Sequence, residues 1–306
     1  MGRLHARVFS QLADDFTLVG VYDPSAATAS DVAHAWSVPA FASESVAIES
    51  ADLVVIASPI EAHAGAGRRA LARGRHVFVE KPVCDKASQA FALTRSVGRG
   101  QRLFVGHSER FNPVIRALRD RVAPSDVRTI RLQRTSATAR PTRVGHEHGA
   151  LMSLGVHDLD LVAYLTASPV ALREVTHVDE DSADLVLTAA RGAAAWVHVD
   201  RRAPKRERLI EVVTHEAIYS GDLLARTLTV QPRRGGTLTL CPVVEEEALV
   251  AQAIAIARAL RGAAEDVASG VEGARALALV EQAVSRGSVG ELSCERPDPA
   301  RTSQAS

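Results

Sequence analysis

The sequence predicts an α/β protein: a doubly wound parallel sheet that lacks its first strand, followed by an α/β domain with a large, open, mostly antiparallel sheet. Three observations predict it. Short apolar runs alternate with helical stretches through the first ~120 residues, which is the pattern of βαβ units. After Pro124 the pattern changes to successive strand-like runs separated by Asp, Gly and Pro, as in an antiparallel sheet with one covered face. The run His76-Val77-Phe78-Val79 passes directly into Glu80-Lys81-Pro82. Charge then falls where a parallel strand ends, the place where open α/β sheets bind ligands.

The elements follow in order. Leu18–Tyr22, Leu53–Ala57, His76–Val79 and Leu103–Gly106 are continuous apolar runs and are expected to be buried parallel strands. Ala26–Trp36, Ala62–Arg73 and Ser88–Val97 have helical composition between them, and right-handed crossovers leave little choice of topology. Val127–Thr135 is expected to be a strand, Ala139 to Gly149 a loop rich in Pro, Arg and Gly, and Ala150–Leu165 a helix. From Ala171 to Leu240 the expected strands include Ala194–Asp200, Arg208–Thr214 and Thr227–Gln231. Glu245–Arg261 and Val271–Ser285 are expected to be closing helices, and the Pro/Ser/Thr-rich tail to be disordered. The expected division is 1–122 for a first domain built on the parallel sheet, 123–295 for a second built on the antiparallel sheet, and 296–306 for the tail. There is no internal repeat.

Composition narrows the function classes. The chain has 306 residues, 46% hydrophobic and 24% charged, enough apolar surface for substantial cores. Its formal net charge is zero, so neither a nucleic-acid nor an acidic-membrane partner is expected. No apolar run reaches membrane-spanning length and no signal peptide is expected, and the start lacks the Ser or Thr of a myristoylation signal. Cys84, Cys241 and Cys294 are few and far apart, which suits a reducing cytoplasm and forms no zinc pattern. Cys84 lies near the Glu-Lys-Pro turn but has no evident activating base and reads as a bystander thiol.

A Rossmann-type dinucleotide fold opens with an apolar strand, then G-x-G-x-x-G, then a helix. Met1-Gly2-Arg3-Leu4-His5 reads as the end of that fingerprint, with Gly2 as its third glycine. Asp23 stands about 20 residues on, at the place of the acid that binds the ribose. A neighbouring reading makes Asp23 a helix-start residue, since Asp-Pro-Ser suits a cap. Two explanations of the opening compete: a recorded start about 20–30 residues downstream of the true one, or a remnant that folds differently and no longer binds a dinucleotide.

Taken together, Gly2-Arg3-Leu4-His5, Asp23, Ala57-Ser58-Pro59 with His63, Glu80-Lys81-Pro82 and Gly155-Val156-His157-Asp158-Leu159-Asp160 resemble the glucose–fructose oxidoreductase / inositol dehydrogenase (Gfo/Idh/MocA) family over nearly the whole chain. Gly106-His107-Ser108-Glu109-Arg110-Phe111-Asn112-Pro113 resembles most the branch that oxidises UDP-N-acetylglucosamine at carbon 3. The resemblance implies hydride transfer between a nicotinamide and a hydroxyl-bearing carbon of a sugar, polyol or nucleotide sugar. It implies that Lys81 touches the substrate hydroxyl, with Pro82 cis, and that His157 is the acid–base partner. Gly2, Asp23, Ser58, Pro59, His63, Glu80 and Lys81 would line the cofactor, and Lys81, Arg110, Asn112, Ser153 and His157 the substrate. NAD is the expected cofactor, since a carboxylate at 23 repels a 2′-phosphate, with NADP the alternative. A homodimer or homotetramer through the second domain's sheet is expected. Family members commonly carry Asp four residues before the histidine. Ser153 stands there, and a hydroxyl cannot hold the charge that steadies a protonated imidazole.

Read as residues alone, the chemistry is consistent. A lysine, near pKa 10.4 in water, acts as a base only when burial or a neighbouring cation lowers it. A histidine already titrates near neutral pH. Asp160 is expected to orient the helix or bond across a domain interface. His146-Glu147-His148 is not H-E-x-x-H and reads as a solvated or substrate-edge loop. Arg201-Arg202-Ala203-Pro204-Lys205-Arg206 reads as a charged hairpin end, and Trp36 and Trp196 as core or interface packing. The alternative to an enzyme is a non-catalytic, sugar-binding or regulatory subunit that keeps the fold.

Overall fold

The computed structural model describes residues 1–137 and 149–292, with side chains through 287. His146-Glu147-His148, most of the Ala139–Gly149 loop and the tail lie outside these residues.

The first sheet is three parallel strands in the order β1-β2-β3: β1 Leu53–Ile56, β2 His76–Val79 and β3 Leu103–Val105. Ahead of them lie α1 (Gly2–Gln11), α2 (Ala26–Trp36) and α3 (Glu44–Glu49). α4 (Ile60–Ala72) and α5 (Ala87–Arg95) make the crossovers, and α6 (Pro113–Arg119) leads out. Successive strand residues face opposite sides. Val54, Ile56, Val77, Val79, Leu103 and Val105 pack against α4 and α5, while Leu53, Val55, Phe78 and Phe104 pack on the other side. Two covered faces explain why these strands read as continuous apolar runs.

Leu18–Tyr22 is a correction. It is no strand of this sheet, and its ladder contact is a single parallel bridge, Val21 to Ala40. A strand persists by its partners, and among the described residues none lies between this segment and the outer edge of β1.

The second sheet has eight strands in the order β11-β10-β9-β8-β4-β7-β6-β5. Its members are β4 Thr129–Thr135, β5 Val170–Val178, β6 Ser182–Ala189, β7 Ala194–Asp200, β8 Glu207–Val213, β9 Ala217–Asp222, β10 Thr227–Pro232 and β11 Thr239–Cys241. Every pairing is antiparallel except β4 with β7. Ile130, Leu132, Leu185, Leu187, Val197, Val199, Ile210 and Val212 face one core. The other face carries Arg131, Trp196 and His198, with the Arg131 guanidinium over the Trp196 ring at 5.6 Å. Trp196 is therefore a surface residue of the sheet. Residues 201–206 are corrected as well: β7 and β8 flank β4, so this basic run crosses over a strand and is no hairpin end.

Helix α7 (Val156–Thr166) packs on the inner face. Its approach differs from the single helix expected over 150–165: Leu151–Gly155 is π-helical, a local widening frequent at functional sites. The last helices, α8 (Ala248–Leu260) and α9 (Gly270–Leu292), return to the parallel sheet. Ala251, Ala255 and Ile256 of α8 pack with Phe78 and Phe104; Ala274 and Leu277 of α9 pack with Val77 and Leu93. α9 also contributes Leu279 and Val280 to the core of the second sheet.

Candidate active site

The site forms where β2 ends and α7 begins. The Lys81–Pro82 peptide is cis. Lys81, partly buried, donates from Nζ to the Ser153 carbonyl oxygen at 2.6 Å. The turn of one sheet thus grips the π-helical turn in front of the other. Burial pushes the ammonium down to about 8. Glu80 and Glu109 oppose that shift, while Arg134 and Arg208 add to it.

His157 lies one residue into α7. Its pKa is held well below the usual imidazole range by burial first, then by the charges of Lys81, Arg134, His107 and Arg208. Its Nδ1 is buried with no hydrogen-bond partner. Ser153 keeps its hydroxyl occupied: Arg201 donates to Oγ. The structure therefore brings together three of the expected residues, Lys81, Ser153 and His157.

Glu80 is buried beside them. His5 Nε2 lies 2.6 Å from Glu80 Oε1, and Lys81 N–H donates to Oε2 at 3.1 Å. Gly106 leaves room for this carboxylate, since a Cβ there would stand 3.0 Å from Glu80 Cδ. His5 thus joins α1 to the Lys81 turn. This role was not legible in the sequence, because helix spacing does not reveal a contact 75 positions away.

The remaining expected cofactor residues rim the C-terminal end of the parallel sheet. His63 is buried between two backbone carbonyls, Nδ1 2.9 Å from Pro82 O and Nε2 2.9 Å from Ser58 O. It braces the Lys81 turn against the β1–α4 loop. Ser58 is exposed, and Pro59 is the N-cap residue of α4. Asp23 accepts from Ser25 N–H at 2.9 Å, and Ser25 caps α2 by accepting from Thr28 N–H. Gly2 starts α1, which no side chain caps, and a Cβ there would meet Ala57 only at ordinary contact, 3.9 Å.

Arg110 and Asn112, expected at the substrate, are instead buried anchors. Arg110 forms a fork with Asp160 (Nη2–Oδ1 2.6 Å, Nε–Oδ2 2.7 Å) and also bonds Glu272 at 2.9 Å. Asn112 donates to Leu223 O and caps α6 through Val114 N–H. A buried guanidinium needs such partners, and Ser108–Phe111 forms the 3₁₀ turn that delivers them. Arg134 is held likewise, by Asp158 (2.7–3.1 Å) and by Glu109 (3.0 Å). Cys84 is buried, and burial with Asp85 nearby pushes its thiol up to about 12, so it is no nucleophile at neutral pH. Among the described residues no cluster of His, Cys, Asp and Glu is arranged to hold a metal, and no helix is long and apolar enough to cross a membrane.

Known proteins share this arrangement of elements. Residues 1–107 match the family described as "Oxidoreductase family, NAD-binding Rossmann fold", and residues 116–220 match the GFO/IDH/MocA C-terminal domain. UDP-N-acetylglucosamine 3-dehydrogenase of Acidithiobacillus ferrooxidans is 30% identical over 260 residues, 81% of this chain and 79% of that protein. Inositol 2-dehydrogenase of Rhizobium meliloti is 26% identical over 308 residues, 93% of each chain. A solved structure of the Acidithiobacillus dehydrogenase superposes with a TM-score of 0.84 at 26% identity, covering 93% of each chain.

Proposed function

The chain belongs to the GFO/IDH/MocA oxidoreductase family, and from that premise we propose that it oxidises a secondary hydroxyl of a nucleotide sugar, sugar or polyol, or runs the reverse reduction. Its cofactor is NAD(P), the ligand of the family's first domain. The residues present fit that group in part. The first turn of α1 is uncapped beside Ala57 and suits a diphosphate, while Asp23 suits a ribose hydroxyl. Ser58, Glu80 and Lys81 lie on the side where the nicotinamide would reach. When bound, the nicotinamide supplies the hydride acceptor or donor.

The observation that carries the reading is Lys81 Nζ, desolvated and locked onto Ser153 O one turn before His157. A lysine brought to about 8 holds a useful fraction of free amine near neutral pH, and that amine takes the proton of the reacting hydroxyl. His157, kept neutral, takes the proton onward. In reduction both groups return it. Ser153 positions the ammonium through its backbone carbonyl. The side-chain change from Asp to Ser therefore spares that contact, and this favours a working enzyme over a purely binding subunit.

A nucleotide sugar is the first substrate class to test. The 30% identical relative acts on UDP-N-acetylglucosamine, and residues 106–113 resemble that branch. The exposed outer face of the eight-stranded sheet, with a trough of about 690 Å³ lined by Arg131, Trp196, His198 and Glu211 among others, is the surface we assign to homo-oligomer formation. The test of function is absorbance at the reduced-nicotinamide band with UDP-sugars, inositols and simple sugars, each with NAD and NADP. Turnover with at least one is expected. Absence of turnover with all of them, together with absence of NAD(P) binding by calorimetry, sinks the proposal.

A further inference from the structure

Two neighbouring buried imidazoles at the candidate active site leave three nitrogens with no hydrogen-bond partner: Nδ1 and Nε2 of His107, and Nδ1 of His157. His107 is 1% exposed. Its ring stands edge to face against that of His157, centroids 5.7 Å apart and planes at 84°. His107 Nδ1 is 3.8 Å from Asp160 Oδ2, beyond a direct hydrogen bond. A neutral imidazole always carries one N–H, so a buried histidine with both nitrogens unmet is destabilising. Such groups in folded proteins are usually joined by a buried water that needs two to four polar partners.

We propose that His107 is a positioning residue for His157: a shared buried water joins His157 Nδ1 to the His107 ring, whose other edge addresses the Asp160 carboxylate. Asp160 is fixed by the Arg110 fork, so the chain from carboxylate to imidazole to imidazole starts from a rigid end. It sets which nitrogen of His157 carries hydrogen, and so which is available to the substrate. The groups facing His107 are Asp160 from α7, Arg110 from its own 3₁₀ turn, and Glu80 and Lys81 from the turn after β2. Those facing His157 are Lys81, Arg134 of β4, Arg208 of β8 and His107 itself. Burial holds both rings neutral at physiological pH, the state in which a hydrogen-bond chain can choose the tautomer. The sequence does carry a signal for His107. It follows the end of β3 as Lys81 follows the end of β2, the same rim of the sheet.

The proposal rests on His157 being the acid–base partner, so its first readout needs no turnover. In ¹⁵N–¹H spectra of the intact chain at pH 7, His157 Nδ1 is expected at a hydrogen-bonded shift, and His107→Phe is expected to move it toward the unbonded value. His107→Leu, smaller than the native ring, gives the same comparison if Phe overpacks the site, and thermal melting verifies that each variant folds. The second readout is kinetic. His107→Phe is expected to lower kcat about tenfold, the worth of one hydrogen bond, with KM nearly unchanged. His107→Gln, which keeps an amide near Nε2, is expected to recover most of that loss. A His157 spectrum that is the same in all folded variants overturns the proposal. A shifted spectrum in a chain that turns over none of the tested sugars leaves the contact standing and removes the proposed function instead.

Discussion

Within five residues, α7 presents polar side chains with opposite fates. Asp158 and Asp160 are buried in forked arginine pairs, with Arg134 and Arg110. His157, beside them in sequence, keeps a ring nitrogen unmet and looks toward a lysine held well below its ordinary range. The two arginines are pushed above theirs: burial works against them, and their carboxylates more than offset it. The carboxylates are thus satisfied and held, while the histidine between them keeps a nitrogen unmet. The difference teaches that the ion pairs hold the backbone on which an unfavourable arrangement can sit.

The sharpest way to break this comparison is Lys81→Met. It should lower kcat about 10³-fold, within the range for removing a general acid–base group. It should also make the chain more resistant to urea at pH 7. Lys81 has a folded-state pKa below its unfolded value, so its charged form opposes folding below about 8. That penalty fades as pH rises from about 8 to 10.5. The stability gap between variant and parent should close over the same interval, and a variant less stable at pH 7 would contradict the reading. The carboxylates answer with the opposite sign: Arg134→Met should cost about 3–5 kcal/mol in denaturant unfolding, because it strands the buried Asp158 and leaves Glu109 to Arg208 alone.

Three smaller effects sharpen the contrast. His157→Gln should lower kcat about 10²-fold while leaving the unfolding midpoint in place. The oxidation rate should rise with pH through about 8, where Lys81 loses its proton. Glu80→Gln should move that rise to lower pH, because the Glu80 charge holds the proton on; a rise that stays in place would separate Lys81 from the rate. Smallest of all, Cys84 should remain unmodified by an alkylating reagent in the native chain at pH 8, because its thiol is buried and pushed up to about 12.

The sequence made the parallel strands legible where both faces are covered, since β1, β2 and β3 are then apolar at every position. The motifs around Lys81 and His157 singled them out, and the fold places the two near each other. Leu18–Tyr22 misled because composition reports a strand's readiness to pair and says nothing of whether a partner lies alongside. The π-helical turn at Leu151–Gly155 was invisible, since its residues suit an ordinary helix equally well. Arg110 and Asn112 were expected at the substrate through the resemblance of residues 106–113. Their buried partners, Asp160, Glu272 and Leu223 O, stand 50 to 162 positions away, beyond any local pattern. His5 was missed for the same reason; His107 was missed although its place just past β3 marked it.

The return of α8 and α9 has a consequence for how the chain assembles. Phe78 and Phe104 on one face of the parallel sheet are sealed by residues 251–267, and Val77 on the other by residues 268–277. During synthesis the nucleotide-binding half therefore emerges first but stays without its lid until almost the whole polypeptide has left the ribosome. Its greasy flank must wait, shielded only by chance contacts or by a chaperone. A fragment ending at residue 122 should accordingly aggregate, and adding residues 245–292 as a separate peptide should restore its solubility.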